Sequence, residues 1–176
     1  MARLITPRLL LRPYQADDLD LMAPMYDDSD VTAHTKLGRC TREQTAAILR
    51  DYLDLWDERQ LGMRALFHRG DGSFIGECGV FLLSNGDAAL RYALMTSAWG
   101  QGFALEAVQA TVDDLFHRIG LSHVWSIVQA RNTASCRVME KAGWRIDHTS
   151  QDGDIALTIF RLDRTSFIVS AVERSN

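Results

Sequence analysis

The stretch Trp99-Gly100-Gln101-Gly102-Phe103-Ala104 stands between an alternating strand and a long apolar helix. Upstream, Ala88 to Met95 reads as the strand. Downstream, Leu105, Val108, Val112, Leu115, Phe116 and Ile119 recur at helical spacing and stop at Gly120. Gly100 and Gly102 let the backbone turn tightly and approach a ligand closely. The helix that opens here carries unpaired N–H groups and partial positive charge, which favour an anion and above all a phosphate. A tight strand-to-helix connection with no ligand explains the same glycines. Two nucleotide readings fail: the dinucleotide fingerprint needs a third glycine where the chain has Leu105, and no P-loop sequence occurs.

Working back from the loop, Ser84-Asn85-Gly86-Asp87 is a hairpin signal, with Asn-Gly suited to a type I′ turn. Phe74 to Leu83 is a strand interrupted by Gly76 and Gly79, and Met63 to His68 another, joined to it by a turn at Gly70 to Ser73. The three strands make an antiparallel meander. Before them, Thr41-Arg42-Glu43-Gln44 has a capping-box pattern and opens a helix with Ile48, Leu49, Tyr52, Leu55 and Trp56 on one face. Asp17 and Asp18 precede a first helix with Leu21, Met22 and Met25 inward. Leu9 to Arg12 is a short strand closed by Pro13.

Working forward, Val124 to Val128 is strand-like. Asn132 or Thr133 caps a short helix carrying Val138, Met139 and Ala142, which stops at Gly143. Trp144 to His148 and Ile155 to Leu162 are two final strands around a turn at Gln151 to Asp154. The predicted class is a mixed α/β sheet, antiparallel in its first half and crossed by a strand–helix–strand unit in its second.

A length of 176 residues fits a single domain over 1–176, and 47% hydrophobic with 24% charged residues argues against disorder. The net charge of −4 makes a nucleic-acid partner unexpected. Cys40, Cys78 and Cys136 stand far apart, so neither a metal site nor a disulfide framework is expected, and a reducing compartment is the simpler reading. Cys136 is a small buried side chain or a reactive thiol. No apolar run approaches the roughly 18 residues of a membrane helix. Arg3, Pro7 and Arg8 interrupt the N-terminus too early for a signal peptide, so the expected localisation is cytoplasmic.

The strand, loop and helix resemble the coenzyme A-binding core of the GNAT N-acetyltransferase superfamily, whose signature is Q/R-x-x-G-x-G/A. Gly102 and Ala104 match its small positions, and Trp99 stands where Gln or Arg is usual. That substitution resembles the RimJ/RimL-like branch of ribosomal-protein N-terminal acetyltransferases. Thr6-Pro7-Arg8-Leu9-Leu10-Leu11-Arg12 is similar to the opening of that branch, and Asn132 to Trp144 to its N-x-x-S-x-R-V-x-E-K-x-G-F/W motif. The resemblance implies a sheet of about seven strands with a central splayed parallel pair and about four helices. It implies acetyl-CoA as co-substrate in the opening of that pair. Backbone amides of Gly100, Gln101, Gly102, Phe103, Ala104 and Leu105 would hold the pyrophosphate. Main-chain groups around Leu94 and Met95, with Asn132, would hold the pantetheine; Asn132 is also a helix cap.

The implied reaction is direct attack of a primary amine, a protein N-terminus or a small molecule, on the thioester. Ser135 is the implied proton donor to the thiolate, although it also fits a plain third helical position. The chain departs from relatives that carry a glutamate at Ala89 followed by a glycine at Arg91, a glutamate at Ile127, or a tyrosine at Met139. Glu77, His34, His148 or bulk water remain as the base. Asp17, Asp18, Asp20, Asp27, Asp28 and Asp30 either steer a cationic amine or form a solvated helix face. A catalytically silent acyl-CoA sensor is the rival reading, and a homodimer is compatible with either.

Overall fold

The alternating apolar runs pair into one eight-stranded sheet of order β1-β2-β3-β4-β5-β6-β8-β7 in a computed structural model that describes residues 3–167. The strands are β1 (Leu4–Ile5), β2 (Leu9–Pro13), β3 (Met63–His68), β4 (Phe74–Leu82), β5 (Ala88–Leu94), β6 (His123–Gln129), β7 (Arg145–Asp152) and β8 (Ile155–Asp163). The helices are α1 (Leu19–Asp27), α2 (Ser29–Thr32), α3 (Arg42–Arg59), α4 (Phe103–Asp114) and α5 (Thr133–Lys141). All strand pairs are antiparallel except β5 with β6. The expected mixed class with one splayed parallel pair is therefore present. The strand beyond the expected seven is β1, two residues long and invisible as a pattern, which folds back on β2 through the Thr6-to-Leu9 hydrogen bond.

The β4–β5 hairpin corrects one expectation. Gly86 N–H donates to Leu83 C=O and Leu83 N–H to Asp87 C=O, both at 2.8 Å. Only Gly86 of the Asn-Gly pair has positive φ (86°), so this is a three-residue loop closed by a left-handed glycine, not a type I′ turn. Asn85 instead pins Asp87, accepting from its N–H and donating to its carboxylate. At the other end, β7 and β8 run further than expected, and their turn shrinks to Gly153-Asp154. The helical stripe after the glycine loop ends in a π-helical turn, Leu115–Ile119, closed by Gly120 at φ 83°.

The sheet separates two apolar layers. Leu90, Leu94, Val108, Val112, Phe116, Val124 and Phe160 pack under α4 and α5. Met22, Met25, Leu49, Tyr52 and Met63 pack under α1 and α3. The predicted capping box at Thr41 and Gln44 is formed. Gly76 and Gly79 let the meander close up: a Cβ would lie 2.2 Å from the Ala93 carbonyl at Gly76 and 2.3 Å from the Gly62 carbonyl at Gly79.

Candidate active site

The cleft originates in sheet topology. β5 and β6 meet at a single register pair, Ala89 with Trp125, and then diverge. Beyond that point each strand turns unpaired backbone toward the gap. Met95 N–H is spent on Ile75 C=O of β4, so alternation turns the backbone of Leu94 toward the opening. The Leu94 carbonyl is already bonded by the Trp99 indole at 2.9 Å. Of the two residues expected at the pantetheine, Leu94 faces the gap and Met95 has its amide engaged elsewhere. The cleft has a volume of about 450 Å³.

Past the end of β5, between it and α4, lies the glycine loop. Gly100 and Gly102 adopt φ of 73° and 80°, and Gly102 is the N-cap of α4. No side chain caps α4, so the first-turn amides of Phe103, Ala104 and Leu105 keep an anion-binding arrangement. The Gln101 side chain is turned back onto Ser97 C=O. One residue here was not singled out from sequence as a ligand-side group. Arg8, from the turn before β2, donates from Nη1 to the Gln101 carbonyl at 2.8 Å and lies over the Phe103 ring at 4.6 Å. Glu106 holds it through Nε at 2.7 Å. Burial opposes the Glu106 charge, but the Thr6 hydroxyl and Arg8 outweigh it and lower its pKa. Two left-handed glycines, uncapped amides and a guanidinium suit a polyphosphate-bearing ligand such as acetyl-CoA.

Deeper in the cleft, Asn132 caps α5, its side chain accepting from Ser135 N–H at 3.1 Å. Ser135 Oγ accepts a hydrogen bond from the Tyr92 hydroxyl at 3.0 Å. All three residues line the cleft. Tyr92 was missed in the sequence: alternation puts it beside Leu90 and Leu94, but nothing local says that α5 packs over it. Burial pushes the Tyr92 phenol up to about 12, with the Ser135 contact pulling the other way. Tyr92 therefore stays protonated at neutral pH.

The base candidates separate. Glu77 is fully buried, neither on a solvated face nor open to the cleft. Its carboxylate accepts from Tyr14 (2.9 Å), Tyr26 (2.8 Å) and Tyr52 (3.5 Å), and pairs with Arg91. With both oxygens engaged and no exposure it is a structural anchor, which corrects its place among the bases. Burial first, then the Glu77 charge, raises the pKa of all three phenols. His148 sits on the exposed edge strand β7, paired with Asp147, and is not among the cleft residues. His34 does line the cleft, from the segment after α2.

The acidic cluster also disperses. Asp18 is buried against Arg12 (2.5 and 2.7 Å), Asp20 pairs with Arg42, Asp27 pairs with Arg39, and Asp28 caps α2. Only Asp17 and Asp30 remain exposed without such a partner among the described residues. Cys136 packs half-buried against the core, and burial, then Glu140, raises its pKa, which argues against an activated thiol. Among the described residues there is no cluster of metal-ligating side chains and no helix long and apolar enough to cross a membrane.

A mostly antiparallel sheet, split at one parallel pair beside a glycine-rich helix N-terminus, defines the acyl-CoA-using transferase architecture. The chain belongs to the GNAT acetyltransferase domain family, whose model matches residues 8–145. It is 28% identical over 155 residues to the uncharacterized N-acetyltransferase p20 of Bacillus licheniformis, covering 86% of this chain and 87% of that one. An acetyltransferase from Agrobacterium tumefaciens superposes with a TM-score of 0.82 at 23% identity, covering 93% of this chain and 95% of that one. RimL, a ribosomal alpha-N-protein acetyltransferase in complex with coenzyme A, gives 0.82 at 15% identity over 92% and 98%. The general chemistry of the family is acyl transfer from acetyl-CoA.

Proposed function

We propose that this chain is an acetyl-CoA-dependent N-acetyltransferase, one domain over 1–176 acting in the cytoplasm, that acetylates a primary amine by direct attack in a ternary complex. The observation that carries the reading is the Tyr92–Ser135 hydrogen bond at 3.0 Å inside the cleft between the splayed strands. The amides of Gly100 to Leu105, with Arg8, would hold the pyrophosphate, and Leu94, Met95 and Asn132 would flank the pantetheine.

In the reaction the amine nitrogen bonds to the thioester carbon, the C–S bond breaks, the amine loses a proton and the thiolate gains one. Ser135 Oγ–H supplies the thiolate's proton, oriented by the hydrogen bond it accepts from Tyr92, and the proton lost by the amine returns through water to restore the Ser135 hydroxyl. His34 receives the amine's proton, directly or through water, because it is the one candidate base that the cleft contains. The motif likeness to the RimJ/RimL branch supports a protein N-terminus as one acceptor class, and small amines are the other.

The test is thiol release from acetyl-CoA across a panel of amines and peptides, for wild type and Ser135→Ala. Transfer by wild type and a fall in kcat for the variant support the reading. Tight CoA binding with no acetylated product sinks it and favours the silent sensor. Ala89, Ile127 and the consumed Glu77 leave that rival its one structural argument: no unpaired carboxylate lines the cleft among the described residues.

A further inference from the structure

We infer that Arg91 is the recognition group for a carboxylate on the acceptor, so that the acceptor is an amino-acid-like molecule carrying amine and carboxylate together. The inference rests on the acetyltransferase reading above and narrows its substrate class. Register places Arg91 on the α1/α3 face of β5, opposite Gly79 and flanked by Ala89 and Ala93. Its guanidinium is held through one nitrogen only. Nη2 donates to the hydroxyls of Tyr26 and Tyr52 and to Glu77. Nε and Nη1 have no partner among the described residues, yet the side chain is 31% exposed and lines the cleft. One edge of the group is therefore fixed, while donors on its other atoms remain unspent in a side chain that borders the cleft. Such a preoriented cation loses little freedom on binding an oxyanion.

Glu77 pairs with Arg91 through Nη2 alone and leaves the Nε and Nη1 donors unspent; it is fully buried, and its oxygens are shared among three phenols as well. The other ionisable groups at the cleft are His34, Lys36, Asp152 and the protonated Tyr92 phenol, and Lys36 with Asp152 form an ion pair at 2.6 Å. The acceptor end thus offers one cation with unspent donors and no unspent carboxylate. A polyamine finds no counter-charge there, whereas a carboxylate does. Phe81, Ile127, Ile155 and Leu157 supply an apolar wall for the body of the molecule between its carboxylate and its amine.

The experiment is calorimetric binding of N-acetyl-leucine and N-acetyl-leucinamide to the full chain with CoA present. It is paired with acetyl transfer to leucine, leucinamide and spermidine. The double variant Arg91→Gln/Glu77→Gln removes the cation without stranding a buried charge, and Arg91→Lys keeps the charge but not the geometry. A thermal melt verifies folding of each. The acid should bind roughly 10- to 100-fold more tightly than the amide, the value of one charge-assisted contact. That preference should vanish in the double variant and be partly restored by Lys. Equal binding of acid and amide to wild type, or loss of both ligands alike in the double variant, overturns the inference. Preferential binding of the acid with no transfer to any amine would refute the acetyltransferase reading and leave the carboxylate site standing. Transfer to spermidine or leucinamide at the expense of leucine would do the reverse.

Discussion

Raising the pH should unfold this protein before its tyrosines ionise. The chain has four tyrosines, and burial raises the pKa of every one, Tyr92 to about 12. Around Glu77, the carboxylate's charge adds to burial at Tyr14, Tyr26 and Tyr52. An unfolded phenol ionises near pH 10, so above that pH the native state holds protons that the unfolded state releases. The stability is intact below pH 10 and drains away as the pH climbs toward the folded values. Each retained proton costs about 1.4 kcal/mol per pH unit, and Tyr92 alone costs about 2.7 kcal/mol between pH 10 and 12. Four such groups drain about 5 kcal/mol per unit, which exhausts a domain stability of about 10 kcal/mol some two units above pH 10. Phenolate absorbance and circular dichroism should therefore change together in one cooperative transition. Glu77→Gln should move that transition but leave the Tyr92 environment alone, since Glu77 is not among the groups acting on Tyr92. Phenolate absorbance that rises near pH 10 while the circular dichroism stays native would refute the reasoning.

At the site, Ser135→Ala should lower kcat by about 10²- to 10⁴-fold, the usual worth of a positioned proton donor, with little change in the KM for acetyl-CoA. Tyr92→Phe should cost about tenfold through one lost hydrogen bond, and the double variant should be no slower than Ser135→Ala alone, because the two act as a unit; additive losses in steady-state kinetics would separate them. Arg8→Ala should raise the Kd for CoA about fivefold in calorimetry while sparing kcat, because it removes the cation beside Gln101 and Phe103. Gly79→Ala should cost about 3 kcal/mol or more, and so lower Tm by about 10 °C, because the new Cβ would sit 2.3 Å from the Gly62 carbonyl. A Gly79→Ala melt close to that of wild type would mean that β3 and β4 can separate at little cost.

What local chemistry determines was readable in advance. The Thr41–Gln44 box, the α4 stripe after Gly102 and the three-strand meander each follow from patterns within one segment. The Asn85-Gly86 turn type was misjudged because Asn-Gly permits two loop lengths, and the Asp87 side chain, which Asn85 pins, favours the longer one. Glu77 was misread because strand alternation says which side a residue faces but not what covers that side. Three phenols, from the exit of β2, from α1 and from α3, arrive there only in the folded chain. Tyr92 was missed for the same reason, since its partner Ser135 stands 43 residues away on α5. Long-range partners, and not the residues themselves, were what sequence left open.

The charge distribution follows a similar logic. The net charge of −4 invites the idea of an acidic surface that gathers cationic amines. In the fold, Arg12, Arg39 and Arg42 neutralise Asp18, Asp27 and Asp20, and Asp28 is used as a helix cap. These contacts leave little long-range field, because paired charges cancel beyond about one Debye length, some 8 Å at physiological salt. The cations nearest the chemistry, Arg8 at the glycine loop and Arg91 on β5, are paired as well but keep N–H donors that their partners leave unspent. Each is held by a carboxylate, Glu106 for Arg8 and Glu77 for Arg91. An acidic protein can in this way present two oriented cations, one suited to a phosphate and one to a carboxylate. Discrimination between acceptors then depends on contact within the cleft, where a cation with unspent donors counts for more than the sum of charges over the whole chain.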